Sequence, residues 1–238
     1  AKYIRVFIPT NDFIKVYTTQ FTESINLNPR VLWASKKGML KFLSRLSNQF
    51  VYSIDRKIQR TDLLQAFDPF FSAVADTSLV TLTSSFRNTF FFNRSSSKIG
   101  GDYTYQDTRT KTQLANGFES RTRTLHGLKL RWNITKSFTF NSEYELGVKS
   151  SISDFFNNNN YEIHYYFLEP QLVFQPGTKF RLRGSFRYTE KDNQLAENFG
   201  QLAILRDAGI EAKYNILQRG SLNASFNFIS TRGDFRKN

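Results

Sequence analysis

The sequence predicts an all-β protein: an antiparallel up-and-down transmembrane β-barrel of about 10–12 strands, or a section of a larger barrel. Three observations predict it. Apolar and polar residues alternate over long runs, as in a strand with one greasy and one wet face. The connections between runs alternate short and long, as in barrels with short turns at one rim and long loops at the other. Bulky aromatic residues crowd the short turns, where amphipathic rings settle at a membrane interface.

The clearest alternation spans Leu128 to Ile152. Leu128, Leu130, Trp132 and Ile134 alternate with Lys129, Arg131 and Asn133, and Thr135-Lys136-Ser137 makes a turn. Phe138, Phe140, Tyr144, Leu146, Val148 and Ile152 then share one parity, against Thr139, Asn141, Glu143, Glu145, Gly147, Lys149 and Ser151. Soluble strands usually run to about five or six residues. A tilted membrane strand needs about nine to eleven. Leu146 is read as a mid-strand, lipid-facing position, where an arginine would cost about 2–4 kcal/mol.

Taken in order, Tyr3 to Ile8 is a strand candidate stopped by Pro9, and residues 11–22 read as a polar loop with some strand character at 13–17. Ile25, Leu27, Val31 and Trp33 share one parity of a run from Ile25 to Ala34, with Pro29 marking an edge or a bulge. Lys36-Lys37-Gly38 reads as a turn. Met39 to Ile58 fits both periods: Leu40, Phe42, Leu46, Phe50, Tyr52 and Ile54 as a strand face, or Met39, Leu43, Leu46, Phe50, Ile54 and Ile58 as a helix face. The neighbouring hairpins favour strand. Val80 to Phe92 and Ile99 to Tyr105 follow as strands around a turn at 93–97. Tyr161 to Gln175 is aromatic on both parities and ends in the Pro176-Gly177 turn. Phe180 to Tyr188 alternates Phe, Leu, Phe and Tyr with Arg181, Arg183 and Arg187. Two further strands flank Gln218-Arg219-Gly220. The count is about eleven, with one domain over 1–238 and loops at 59–78, 106–120, 153–160 and 189–201. A closed bacterial barrel normally has an even number of strands. The start at Ala1 without Met and the end at Arg-Lys-Asn add to the expectation of a section of something longer.

Composition excludes several classes. Mean hydropathy is −0.46 and no run of eighteen apolar residues occurs, so helical membrane spans are excluded. A β-barrel is not, because only alternate residues face lipid. There are no cysteines, so disulfides and thiolate metal sites are ruled out. The net charge of +13 is spread through the strands rather than gathered in a block, which argues against nucleic acid as a partner.

The polar parities place Lys129, Arg131, Glu143, Glu145, Lys149, Arg181, Arg183, Arg187, Asp207, Glu211 and Lys213 toward a lumen. Two readings stand: a wet, net-basic lumen favouring anions, or salt-bridge ladders that fill the interior without conduction. The interface girdle is expected at Trp33, Phe92, Trp132, Phe138, Phe174, Phe180 and Tyr214. Glu143 and Glu145 are two apart, which suits acid–base work in other settings, but a lumen ladder is the plainer reading. His126 has no ligand set. His164 lies two residues from Glu162, and two ligands do not make a metal site. Tyr161, Tyr165, Tyr166 and Phe167 suit sugar stacking or an interface girdle, and girdle is preferred. No nucleophile elbow, Gly-rich phosphate loop or metal-binding helix is present, so no catalytic residue, metal or cofactor is expected and an enzyme is not.

The runs Leu130 to Phe138, Pro170 to Gly177 and Ala212 to Ile216 resemble the barrel regions of Bacteroidota outer-membrane proteins, over about two thirds of the chain. The resemblance implies the bacterial outer membrane, with lipid bilayer, lipopolysaccharide and further outer-membrane or periplasmic subunits as partners. The family includes secretion barrels, passive pores and TonB-dependent importers. No plug domain or energy-coupling box is visible, which counts against a complete importer. Transport or secretion is the leading expectation. A non-conducting anchoring barrel and a soluble binder of anionic polymers are the alternatives.

Overall fold

A computed structural model describes residues 15–59, 78–114, 116–195, 201–216 and 220–235. Ten strands form one antiparallel sheet in strict chain order: β1 Tyr17–Leu27, β2 Leu46–Ile58, β3 Leu79–Phe92, β4 Ile99–Leu114, β5 Gly117–Asn133, β6 Phe138–Ser153, β7 Tyr161–Phe174, β8 Phe180–Asn193, β9 Gln201–Ile216 and β10 Gly220–Phe235. Two short helices, α1 Arg30–Trp33 and α2 Met39–Leu43, join β1 to β2. The sheet is open: β1 and β10 are its edges and do not pair with each other.

Local chemistry explains the turns. The Thr135 hydroxyl accepts from the backbone N–H of Ser137 (3.2 Å) and of Phe138 (3.0 Å), which reverses the chain between β5 and β6. Asp154, beyond β6, accepts from the Phe118 N–H at 2.8 Å beside the β4–β5 hairpin. That hairpin turns at Asn116-Gly117, where Gly117 has φ +133°, a conformation that disfavours a side chain. Pro170 has no N–H to give, and the β7–β8 register lapses at residues 169–170.

Several expectations change. The described residues hold ten strands, within the expected ten to twelve, and Tyr3 to Ile8 lies outside them. So do residues 60–77 of the expected 59–78 loop. Ile25 to Ala34 is not one strand: β1 begins at Tyr17, inside the segment read as polar loop, and the chain turns helical after Pro29, whose φ of −61° already suits a helix start. Residues 36–38 join α1 to α2 rather than two strands. Met39 to Ile58 divides, helical through Leu43 and extended from Leu46. Ser44 marks the change, its hydroxyl donating to the Lys41 carbonyl at 2.7 Å. The segments 106–120 and 189–201 are not simple loops. β4 runs to Leu114 and β5 starts at Gly117, while β8 runs to Asn193 and β9 starts at Gln201. Polarity on both faces hid these strand ends, because alternation disappears where neither face is apolar.

The register sets the slant. Phe92 pairs with Gly101, so Ile99 lies two residues further toward the turns. Trp132 pairs with Phe140, and Phe174 with Leu182, so Phe138 and Phe180 each step two residues further again. That is one residue per strand. A rise of about 3.3 Å against a spacing of about 4.8 Å gives a tilt near 35°, within the range of closed barrels. Each residue then climbs about 2.7 Å along the normal to the turn rim.

Candidate lumen face and apolar belt

All eleven expected lumen residues lie on one face, as the pairs Lys129↔Glu143, Arg131↔Asn141, Arg183↔Glu211, Arg187↔Asp207 and Arg181↔Lys213 require. Over β5 to β9 this face is the more enclosed. Tyr165 and Phe167 on it are 6% and 8% exposed, whereas Leu128 and Ile210 on the opposite face are 52% and 58% exposed. On β2, beyond Tyr52, Ile54 and Ile58 of the opposite parity are themselves buried.

Much of the charge is paired. Lys129 meets Glu143 at 3.0 Å, Arg123 meets Glu145 at 3.3 Å, Arg187 meets Glu169 at 3.7 Å and Arg183 meets Glu211 at 3.8 Å. Gln171 lies against the Arg183 guanidinium, which its amide oxygen accepts from once the amide is rotated by half a turn. Arg131 donates to the Ser96 carbonyl at 2.7 Å. Lys149 lies 4.7 Å from the Tyr165 ring centroid and Arg187 lies 4.3 Å from that of Phe167, so cations roof the aromatics. Tyr165 reaches across Gly147 and donates to Glu145 at 2.7 Å. A Cβ at Gly147 would meet the Thr124 carbonyl and the Tyr165 hydroxyl, each at 2.7 Å.

The same face holds a trough. One hollow of about 450 Å³ includes Arg94, Asp102, Lys129, Arg131, Glu143 and Glu169, and an adjoining one of about 300 Å³ adds Arg87, Gln106, Arg123 and Glu145. Arg123 and Arg87 were missed in the sequence reading, although Arg123 shares parity with Lys129 and Arg131. Glu169 was masked by aromatics on both parities of β7.

The opposite face carries a belt. Phe92, Trp132, Phe138, Phe174, Phe180 and Tyr214 stand at the short-turn ends of their strands, as expected. Phe138 and Phe174 are stacked at 4.6 Å and Phe174 meets Phe180 at 6.3 Å. Trp33 does not join them, because it sits on α1 and not on a strand. Six to eight residues up the strands stand Tyr52, Tyr105, Tyr144, Tyr166 and Tyr188, a second edge that the sequence reading did not pick out. Tyr166 and Tyr188 both donate to Glu190, at 2.8 and 2.9 Å. Above it the outward residues of β4 become Asp107, Arg109 and Lys111, and those of β8 become Glu190 and Asp192. Six to eight residues at about 2.7 Å each put the two edges about 16–22 Å apart, somewhat less than the apolar band of about 25 Å in outer-membrane barrels.

Of the four aromatics assigned to a girdle at 161–167, Tyr166 alone faces outward. Tyr161, Tyr165 and Phe167 lie on the enclosed face, opposite Ser151, Gly147 and Glu145. His126 sits on the belt, its Nδ1 2.7 Å from the Tyr103 hydroxyl. His164 Nε2 lies 3.0 Å from Glu162 on the outward face. Among the described residues no three His, Cys, Asp or Glu side chains gather as a metal site would need. No helix among them is long and apolar enough to cross a membrane.

These two faces define a class: an antiparallel up-and-down sheet, polar and ion-paired within, apolar and banded without. Comparison with models of protein families, with curated proteins and with solved structures finds no match.

Proposed function

We propose that the chain is part of the wall of an outer-membrane β-barrel that serves transport or secretion, with the ion-paired face turned to a net-basic lumen. One observation carries this: large side chains are exposed on one face in a band six to eight residues tall, edged by Phe and Trp below and Tyr above. A soluble sheet leaves its polar face to water and covers its apolar one. Here the covering is reversed, which suits a lipid solvent. Cations outnumber carboxylates seven to four among the eleven expected lumen residues and five to four around the trough, which favours anions along this face.

The resemblance to Bacteroidota barrels supports the outer membrane as the location, with lipopolysaccharide and partner subunits alongside. A second reading, a non-conducting barrel that anchors other proteins, draws on the bulk that β7 places on the enclosed face at Ile163, Tyr165 and Phe167. Refolding into lipid vesicles, flotation and planar-bilayer recording test both. Co-flotation with an anion-selective current is expected. Insertion without current supports the anchoring reading, and a folded, detergent-free protein that does not float overturns the membrane assignment.

A further inference from the structure

The geometry points to a bound phosphate-headed membrane lipid on the outward face of β8, β9 and β10, with one acyl chain in a groove and its phosphate at Arg206 and Arg232. The inference rests on the membrane reading above and adds a specific site to it.

The groove is a hollow of about 400 Å³ floored by Gly184 and Ala208, with Leu172, Phe186, Ile210 and Phe226 among its walls. It exists because Gly184 has no side chain, and the fold does not require that. A Cβ built at Gly184 meets nothing within 4 Å. At Gly101 and Gly147, by contrast, a Cβ would strike backbone at 2.8 and 2.7 Å. The hollow at Gly184 is therefore open on the outward face, where a molecule outside the chain can enter it. Phe226, beside the groove, is 68% exposed among the described residues.

Charge fixes which molecule fits. Arg206 pairs in register with Tyr188 and Ser230, and Arg232 pairs with Ile204, so both arginines lie on the outward face above the groove. Neither forms an ion pair with a described residue. Of the β8 carboxylates on this face, Glu190 is already engaged by Tyr166 and Tyr188, and Asp192 accepts from Gln194 at 2.6 Å. Arginine suits phosphate because its planar fork offers paired donors. Arg206 stands eight residues from the Tyr214 edge and Leu172 two residues from the Phe174 edge, on a common slant. The drop between them is about 16 Å, close to the half-thickness of about 15 Å of a bilayer's hydrocarbon core. A headgroup at the arginines thus sends its chain along the groove through the middle of the belt.

The test uses the full chain, refolded and moved into detergent micelles for native mass spectrometry, with palmitoyl-oleoyl phosphatidylglycerol as probe and the phosphatidylcholine of the same chains as control. Wild type should hold one phosphatidylglycerol about tenfold more tightly than phosphatidylcholine. Gly184→Phe and, separately, Ala208→Phe should each weaken retention of both lipids. Arg206→Ala with Arg232→Ala should remove the headgroup preference and leave chain binding. Equal retention by wild type and both groove-filling variants overturns the site, as does equal affinity for the two lipids. Vesicle flotation of each variant separates the failures. Protein that floats but binds no specific lipid sinks this inference alone, whereas wild type that does not float sinks the membrane reading beneath it.

Discussion

Leu128→Arg gives the sharpest test of which solvent the apolar belt meets. Leu128 lies four residues from Trp132, the turn-rim edge of β5. At about 2.7 Å of height per residue it stands about 11 Å above that edge, inside a belt about 16–22 Å tall and deeper than Leu146. An arginine at the bilayer midplane of a barrel costs about 2–4 kcal/mol, falling to about 0–1 near the interfaces. Leu146 lies eight residues from Phe138 and is paired with His126 and Tyr166, at the Tyr edge of the belt. The sequence alone makes Leu146 a mid-strand position. The register moves it to the rim, and the expected cost of Leu146→Arg falls to about 0–1 kcal/mol. Both leucines are about half exposed, at 52% and 46%, so in water both substitutions belong to the surface class of about ±0.5 kcal/mol. The assay is equilibrium denaturant unfolding from vesicles of the two variants beside wild type. Costs that are equal, or larger at Leu146, refute the depth assignment, and two costs near zero refute lipid contact.

Other expectations follow from single contacts. Gly147→Ala should destabilise by about 1–3 kcal/mol in the same unfolding assay, because its Cβ meets the Thr124 backbone at 2.7 Å, while Gly184→Ala should be nearly neutral; equal effects would contradict the packing of Tyr165 across Gly147. Thr135→Val removes the acceptor for the Ser137 and Phe138 N–H groups and should cost about 0.5–1.5 kcal/mol by denaturant titration. Lys129→Glu replaces the 3.0 Å pair with Glu143 by a like-charge contact and lowers the positive charge of the trough. Its reversal potential in a salt gradient should shift toward cation preference, and an unchanged potential would place the trough outside any conducting path.

Much of this design is a property of single strands and was legible in sequence. Parity is local, because successive side chains point to opposite faces. The eleven charged positions could therefore be assigned to one face without knowing any pairing, and Trp132, Phe138, Phe174 and Phe180 could be assigned to the turn ends. The turn at Thr135-Lys136-Ser137 was legible for the same reason. What failed was local too. Residues 106–114 are polar on both faces, so the strand there had no alternation to show. Trp33 followed a strand-like parity into a segment that Pro29 turns helical. On β7, apolar residues on both parities left the inward placement of Tyr165 and Phe167 undetermined.

Depth, partnership and covering were decided only by the tertiary structure. The height of a residue depends on how far each strand slips past its neighbour, a sum over many pairings that no strand contains. That sum gives the slant, puts Leu146 at the rim and Leu128 deeper in the belt, and aligns five tyrosines into a second edge. It also brings Arg123 to Glu145, Arg187 to Glu169, and Gly184 beside Ala208 beneath Arg206. The chain by itself determines which face each side chain takes, since that needs only the pleat. The register determines what it meets there, since contact between strands is set by the hydrogen-bonded ladder and not by sequence separation.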